Sequence, residues 1–251
     1  MRVSLIQCKP SGGGHEATLR SIESVIGSGT GADIYILPEM FATGQSLEPA
    51  CIAQTMDGPV VSWMRQMAVR LDAAVAGSVA ISENGHYYNR FCMARPDGVV
   101  DVYDKRHLFS YSGENLRFSA GKERVVVEFR GLRILLQVCY DLRFPVFSRN
   151  RDDYDMAIYV ANWPLKRQSS WDILLRARAM ENQCFVAGVN RVGDDEYGHY
   201  EGHSVLLSPY GEALAAADND AVRMVTGDLD MEHLRHFRAK FPVLDDADPV
   251  Q

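Results

Sequence analysis

The sequence predicts an α/β fold in which two β-sheets pack on each other and helices cover their outer faces. Two observations carry the prediction. Strand-like apolar runs alternate with helix-like stretches along the chain, and the strands are long, with helices set between them. No linker, low-complexity tract or internal repeat breaks the pattern. At 251 residues the length is ordinary for one α/β unit, so residues 1–251 read as a single domain.

The elements follow in order. Arg2 to Cys8 alternates and reads as a strand. Glu16 to Ile26 places Leu19, Ile22 and Ile26 on one helical face, and Gly27 and Gly29 end that helix. DIYILPE, from Asp33, is a short apolar run of the kind that forms a buried strand. Pro59 opens a helix with Val60, Met64, Met67 and Leu71 facing inward, and Asp57 stands just ahead of it as its cap. AAVAGSVAI, YYNRFCMA and GVVDVYDK form a block of strands, and VVVEFRGLRILLQV reads as a hairpin turning at Gly131. MAIYVAN is a further buried strand and SSWDILLRARAMENQ a helix. CFVAGVNRV, HSVLLS and the segment after Gly211 read as strands, and MEHLRHFRAKF as a closing helix.

Composition excludes several classes of function. Apolar residues make up 47% and charged residues 24%, the balance of a globular protein with enough chain to bury a core. A net charge of −7 with no dense Lys/Arg run argues against a nucleic-acid partner. RVSLIQCKP lacks the apolar core of a signal peptide, and no charge-free apolar stretch is long enough to span a membrane. The five cysteines are scattered and odd in number, with no CxxC pair and no zinc spacing, which fits a reduced cytoplasmic setting.

Three reactive residues each follow a predicted strand: Glu39 after DIYILP, Lys105 after VVDVYD and Cys139 after RILLQV. Ligands of open α/β sheets gather beyond the carboxyl ends of strands, where residues remote in sequence can converge. Free cysteine is usually a small buried hydrophobe, and Cys8, Cys51, Cys92 and Cys184 take that reading. At Cys139 the strand stops and a polar segment leads to Pro145. Such a turn exposes the thiol and aims backbone N–H groups at it, the setting for a lowered thiol pKa and an oxyanion site. Glu39 follows a buried run and is flanked by Met40 and Phe41, so desolvation is expected to raise its pKa toward the range useful for acid–base work. A loop lysine is solvated by default, so Lys105 alone carries little weight.

Two further patterns bear on chemistry. His199, Glu201 and His203 in HYEGH alternate as metal ligands on a strand edge would, but the spacing is not HExxH and no third ligand accompanies it. The segment is read as a solvated loop, with no metal and no cofactor expected. Trp163, after the MAIYVAN strand, suits core packing and pocket lining equally.

LPEMF, YDKRHLF and QVCYDLRFP, in that order, resemble the nitrilase or carbon–nitrogen hydrolase superfamily. YVANWP, RARAMENQ, VNRVG and LLSPYGE look like further blocks of it. KRHLF, ANWP and the KFP near the C-terminus resemble the omega-amidase branch. The resemblance implies a four-layer αββα sandwich, pairing through outer helices into a homodimer or larger assembly. It implies Cys139 as nucleophile, Glu39 as general base, and Lys105 with the backbone N–H of Tyr140 at the oxyanion. Glu114 stands where the family often carries a second glutamate, placed to orient Lys105 and the substrate nitrogen.

The implied reaction is hydrolysis of a small carboxamide through a cysteine thioester, with 2-oxoglutaramate or 2-oxosuccinamate as substrate. An anionic substrate needs a cation, for which Arg143, Lys166 and Arg167 are the candidates, with Phe41 and Trp163 as aromatic lining. Two alternatives remain. One is another amidase of the superfamily, acting on an N-carbamoyl compound or a deaminated peptide. The other is a non-catalytic binding module of the same fold, against which the intact Glu39, Lys105 and Cys139 argue.

Overall fold

Continuous apolar runs give the central strands two buried faces, and those faces sort the molecule into layers. The computed structural model describes residues 1–11, 14–27, 31–217 and 220–248. In chain order it forms β1 (Arg2–Gln7), α1 (His15–Ile26), β2 (Ile34–Ile36), α2 (Pro49–Ile52), α3 (Pro59–Leu71), β3 (Ala74–Glu83), β4 (His86–Ala94) and β5 (Val100–Asp104). There follow β6 (Val126–Phe129), β7 (Leu132–Val138), α4 (Pro145–Ser148), β8 (Met156–Ala161), α5 (Gln168–Glu181), β9 (Phe185–Asn190), β10 (Val192–Asp195) and β11 (Gly198–Glu201). The chain closes through β12 (Val205–Leu207), β13 (Ala213–Ala216), β14 (Arg223–Asp228) and α6 (Met231–Lys240).

One sheet has the order β14-β1-β2-β3-β4-β5 and the other β13-β12-β9-β8-β7-β6, with β10 and β11 as a separate two-stranded ribbon. Each large sheet is parallel at its centre, through β1–β2–β3 in one and β7–β8–β9 in the other, and antiparallel at its edges. Val3, Leu5, Ile34, Ile36, Phe91 and Met93 of the first sheet meet Ile134, Leu136, Met156, Ile158 and Val160 of the second in one core. The alternate residues point outward: Ile6, Tyr35, Val75 and Cys92 pack with α1 and α3, and Leu135, Ala157 and Tyr159 pack with Trp171 and Leu175 of α5. The result is the expected four-layer αββα sandwich. Burial of strands on both faces explains why they read as continuous apolar runs.

Three local readings change. Gly58, not Asp57, is the N-cap of α3, and the Gln54 side chain reaches across to accept the Val60 N–H at 2.8 Å. Asp57 instead contributes its backbone carbonyl, which accepts from the Ser62 hydroxyl. His199 and Glu201 lie not in a loop but on β11, paired with β10, a ribbon too short and polar to announce itself. The strand β14 also escaped the sequence reading, and it pairs with β1 along its whole length. Gly27 ends α1 at φ 57°, a backbone conformation that glycine takes without penalty, while Gly29 lies outside the described residues. Among the described residues no helix is long and apolar enough to cross a membrane.

Candidate active site

The two sheets contribute different chemistry to one cavity. Glu39 stands just beyond β2 and Lys105 just beyond β5, both in the first sheet, whereas Cys139 follows β7 of the second. Strand ends on the two sides of the inter-sheet core thus bring together residues far apart in sequence. The cavity, of ≈ 230 Å³, is lined by Glu39, Lys105 and Cys139 together with Tyr140, Arg143, Asn162, Trp163, Arg167, Tyr197 and Tyr200, among others.

At its floor Lys105 Nζ donates to Glu39 Oε1 at 2.8 Å and to Glu114 Oε1 and Oε2 at 3.0 and 2.9 Å. All three side chains are at least nine-tenths buried. Such a cluster is costly to desolvate and persists only when every charge is paired and hydrogen-bonded. Here they are. Asn89 Nδ2 donates to Glu39 Oε1 (2.7 Å) and reaches Glu114 Oε1 (3.3 Å). The Asn162 N–H donates to Glu39 Oε2 (2.8 Å), and the Phe109 N–H to Glu114 Oε2 (2.6 Å).

Cys139 sits at φ 48°, in the left-handed region that a non-glycine residue adopts at some cost, and a 3₁₀ turn, Cys139–Arg143, begins there. The strained elbow turns the chain out of the strand and leaves Cys139 lining the same cavity as Glu39.

The electrostatics reverse two expectations. Burial works to raise the Glu39 carboxyl, but the Lys105 charge and hydrogen bond and the Asn162 N–H outweigh it and hold Glu39 below the usual 4.5. Burial, followed by the Glu39 charge, pushes the Cys139 thiol well above 9.0 rather than lowering it. Burial opposes the Lys105 ammonium, yet the charges of Glu114 and Glu39 carry it well above 10.5. The resting site therefore holds a carboxylate, an ammonium and a protonated thiol around one cavity. Cys8, Cys92 and Cys184 are buried and their thiols are pushed up to about 12, while Cys51 is exposed.

The rim differs. Arg143 stacks on Trp163 at 4.9 Å and donates to the Ser170 hydroxyl; Arg167 stacks on Phe109 at 5.0 Å. Among the described residues neither has a carboxylate partner. Trp163 fills both roles open to it, packing on Trp171 at 5.5 Å and lining the cavity, with its indole N–H given to the Arg167 carbonyl. Two expected binding residues lie elsewhere. Phe41 is fully buried against Trp63 and Gly77 in the outer core, although it lies in the same turn as Glu39. Lys166 is exposed and does not line the cavity, because the 3₁₀ turn Leu165–Arg167 directs it to solvent while bringing Arg167 in. His199 bonds Asp194 and also pairs with Glu201 at 3.7 Å, whereas His203 pairs with Asp172, so the two histidines of HYEGH face different carboxylates.

The sequence reading missed Asn89, Asn162, Asp141 and His107. Asn89 and Asn162 bind the floor carboxylates. Asp141 accepts hydrogen bonds from both sheets' contributions to the site, from Val138 N (3.0 Å), Tyr103 OH (2.8 Å), and His107 N (3.0 Å) and Nδ1 (2.8 Å). The available signal for the two asparagines was a polar residue inside or just beyond an apolar strand, as in YYNRFCMA and YVANWP.

An αββα sandwich with a Glu–Lys–Cys floor points to hydrolysis of a carbon–nitrogen bond, and the chain belongs to the carbon–nitrogen hydrolase family, whose model matches residues 2–239. It is 49% identical over 233 residues to the omega-amidase YafV of Escherichia coli (strain K12), covering 92% of this chain and 91% of that one. It is 36% identical to the 2-oxoglutaramate amidase of Bacillus subtilis, covering 86% of this chain and 85% of that one. A solved structure, the CN-hydrolase superfamily protein XC1258 from Xanthomonas campestris with an arsenic adduct in its active site, superposes with a TM-score of 0.93 at 42% identity, covering 99% of this chain and 97% of that one.

Proposed function

We propose that this protein is an omega-amidase: it hydrolyses the terminal carboxamide of a short 2-oxo dicarboxylic acid monoamide, 2-oxoglutaramate or 2-oxosuccinamate, to the acid and ammonia. The observation that carries the choice of substrate is the pair of guanidinium groups, Arg143 and Arg167, lining the cavity without a carboxylate partner among the described residues. A cation left unpaired beside a catalytic cluster whose charges are all satisfied suits an incoming anion. The similarity to the omega-amidase and the 2-oxoglutaramate amidase supports the same reading.

In this reading Glu39 takes the Cys139 proton as sulfur attacks the amide carbon. The carbonyl oxygen becomes an oxyanion, stabilised by Lys105 and the Tyr140 N–H, the kind of preorganised charge stabilisation that is usually the largest catalytic contribution. Lys105 has three N–H donors. Its two contacts to Glu114 fall on one carboxylate, so a single proton serves both and one remains for the oxyanion. Glu39 passes its proton to the nitrogen, the carbon–nitrogen bond breaks and ammonia leaves. Water then yields a proton to Glu39 and attacks the thioester; the carbon–sulfur bond breaks and the proton returns to sulfur. Glu114 and Asn89 hold Lys105 and Glu39 in register. The enzyme acts as a single domain that pairs through its outer helices in the cytoplasm, in keeping with exposed Ile173 and Met180 on α5.

Ammonia release across a panel tests the substrate. The two oxo-amides are expected to show far higher kcat/KM than propionamide, a nitrile or an N-carbamoyl amino acid. Turnover of the N-carbamoyl compound with neither oxo-amide hydrolysed would overturn the omega-amidase reading and leave the thioester chemistry standing.

A further inference from the structure

The nucleophile and the groups it needs come from opposite sheets, so their mutual distance depends on what crosses between them. The segment after β5 carries Lys105, His107 and Phe109. The turn after β7 carries Cys139 through Arg143. One carboxylate joins the two. Asp141, with no solvent exposure, accepts the Val138 N–H at the root of the elbow on its Oδ2, beside the Tyr103 hydroxyl of β5. Its Oδ1 accepts both the backbone N–H and the ring Nδ1–H of His107. Tyr103 in turn accepts the Arg106 N–H at 3.1 Å, which fixes the residue next to Lys105. A second clamp lies over the same two segments. His107 stacks flat on Phe144 at 3.8 Å, Phe144 meets Tyr140 edge-on at 5.1 Å, and Tyr140 meets Phe109 at 5.0 Å. Phe109 itself donates its N–H to Glu114.

We infer that Asp141 is the positioning residue that sets the placement of the Cys139 thiol against Lys105 and Glu39, acting through His107 and Tyr103 and touching no reacting atom itself. The inference rests on the Cys139 chemistry proposed above but not on the identity of the amide. A buried carboxylate that receives four donors has a single position that satisfies them. Each donor is rooted in one of the two segments, so the carboxylate fixes their separation. Replacing one oxygen by an amide NH₂ sets donor against donor and pushes the segments apart.

Asp141→Asn and Tyr103→Phe test this in the full chain, read by two assays. One is steady-state hydrolysis of whichever amide wild type turns over. The other is the rate of Cys139 alkylation by iodoacetamide in a Cys51→Ser background, which needs no substrate. Asp141→Asn is expected to lower kcat about 100-fold with KM changed less than about threefold, the scale of a displacement near 1 Å, and to slow alkylation in step. Tyr103→Phe, which leaves three of the four donors, is expected to lower both rates about tenfold while keeping wild-type circular dichroism. Should Asp141→Asn fail to fold, Tyr103→Phe carries the test alone. Wild-type kcat and alkylation rate in a folded Tyr103→Phe protein, with only its melting temperature lowered, would show that the network merely stabilises the fold. No activity on any amide in wild type, with alkylation still slowed in the variants, would overturn the function and keep the positioning role.

Discussion

The floor and the rim of the cavity are built from the same kinds of charged residue and stand in opposite states. On the floor Lys105, Glu39 and Glu114 are buried and paired with one another, and Asn89, the Asn162 N–H and the Phe109 N–H donate further hydrogen bonds to the two carboxylates. At the rim Arg143 and Arg167 rest on aromatic faces and keep their charge unspent. A satisfied buried cluster is rigid and tuned, which suits proton transfer and charge stabilisation. An unsatisfied cation at a cavity wall suits recognition. The two regions should therefore fail differently when broken, the floor in kcat and the rim in KM.

The largest effect is expected on the floor. Cys139→Ala removes the proposed nucleophile, Glu39→Gln keeps the shape but loses the proposed proton acceptor, and Lys105→Arg keeps the charge but alters the geometry. Each should lower kcat by about 10⁴-fold or more while the protein stays folded, since groups that act as a unit lose most of their effect together. Near-normal kcat in Glu39→Gln, measured by ammonia release, would mean that another base operates.

Acid should act on the same floor. In the proposed mechanism Glu39 is a base and must be ionised, and Lys105 with the Asn162 N–H hold its carboxyl below 4.5 against the pull of burial. With the pKa depressed, kcat/KM should stay level from neutral pH down to about pH 5 and fall about tenfold per unit only below the depressed pKa. Stability follows the same sign. A carboxyl whose folded pKa is lowered contributes stability that is present above its unfolded value and lost as pH falls through the folded one. Asp155 behaves likewise: burial raises it, but Arg133 and Arg238 bring it below 3.8. Loss of activity and loss of circular dichroism should thus begin together at low pH. An acid limb centred between pH 6 and 7 would show that Glu39 is not held low.

These opposing contributions mark where the sequence was legible. Glu39, Lys105 and Cys139 each end an apolar strand, and that pattern is local, so it can be read from a few residues. Desolvation of Glu39 could be read the same way from its flanking Met40 and Phe41. The lysine that reverses its effect lies 66 residues away, and the backbone N–H that assists lies 123 away. The sign of the pKa shift was therefore hidden in tertiary structure. The layers were legible because strands buried on both faces are uniformly apolar. The β10–β11 ribbon and β14 were not, since their burial is partial and their residues mixed. Phe41 misled because Glu39 to Thr43 form a turn, with Met40 at φ 43°, and proximity along a turn does not put two side chains on the same cavity.

The rim should give a smaller and more selective effect. A charge-assisted hydrogen bond is worth about 1.5–3 kcal/mol, or about 10- to 100-fold in binding. Arg143→Met and Arg167→Met are each expected to raise KM for the oxo-amide by that factor, with kcat less affected. Neutral amides should be cleaved no worse than by wild type, so the preference between anionic and neutral substrates collapses. Equal losses on both classes would mean that the arginines shape the wall rather than read a carboxylate.

Lys166 gives the control for that comparison, and the smallest effect. It is adjacent in sequence to Arg167 and carries the same charge, so any long-range attraction of an anionic substrate to this part of the surface draws on both. Yet it is exposed and does not line the cavity. Interactions between solvent-exposed charges separated by more than about 8 Å are largely screened at physiological ionic strength. Lys166→Met should therefore change KM for the oxo-amide by less than about twofold at 0.15 M salt, with any residual effect growing as salt is diluted. The paired measurement discriminates between contact and field. A tenfold rise in KM for Lys166→Met that persists at high salt would place the lysine in the binding site and displace Arg167 from it. A small, salt-sensitive change beside a large, salt-resistant one for Arg167→Met would assign the carboxylate to the residue that faces the cavity.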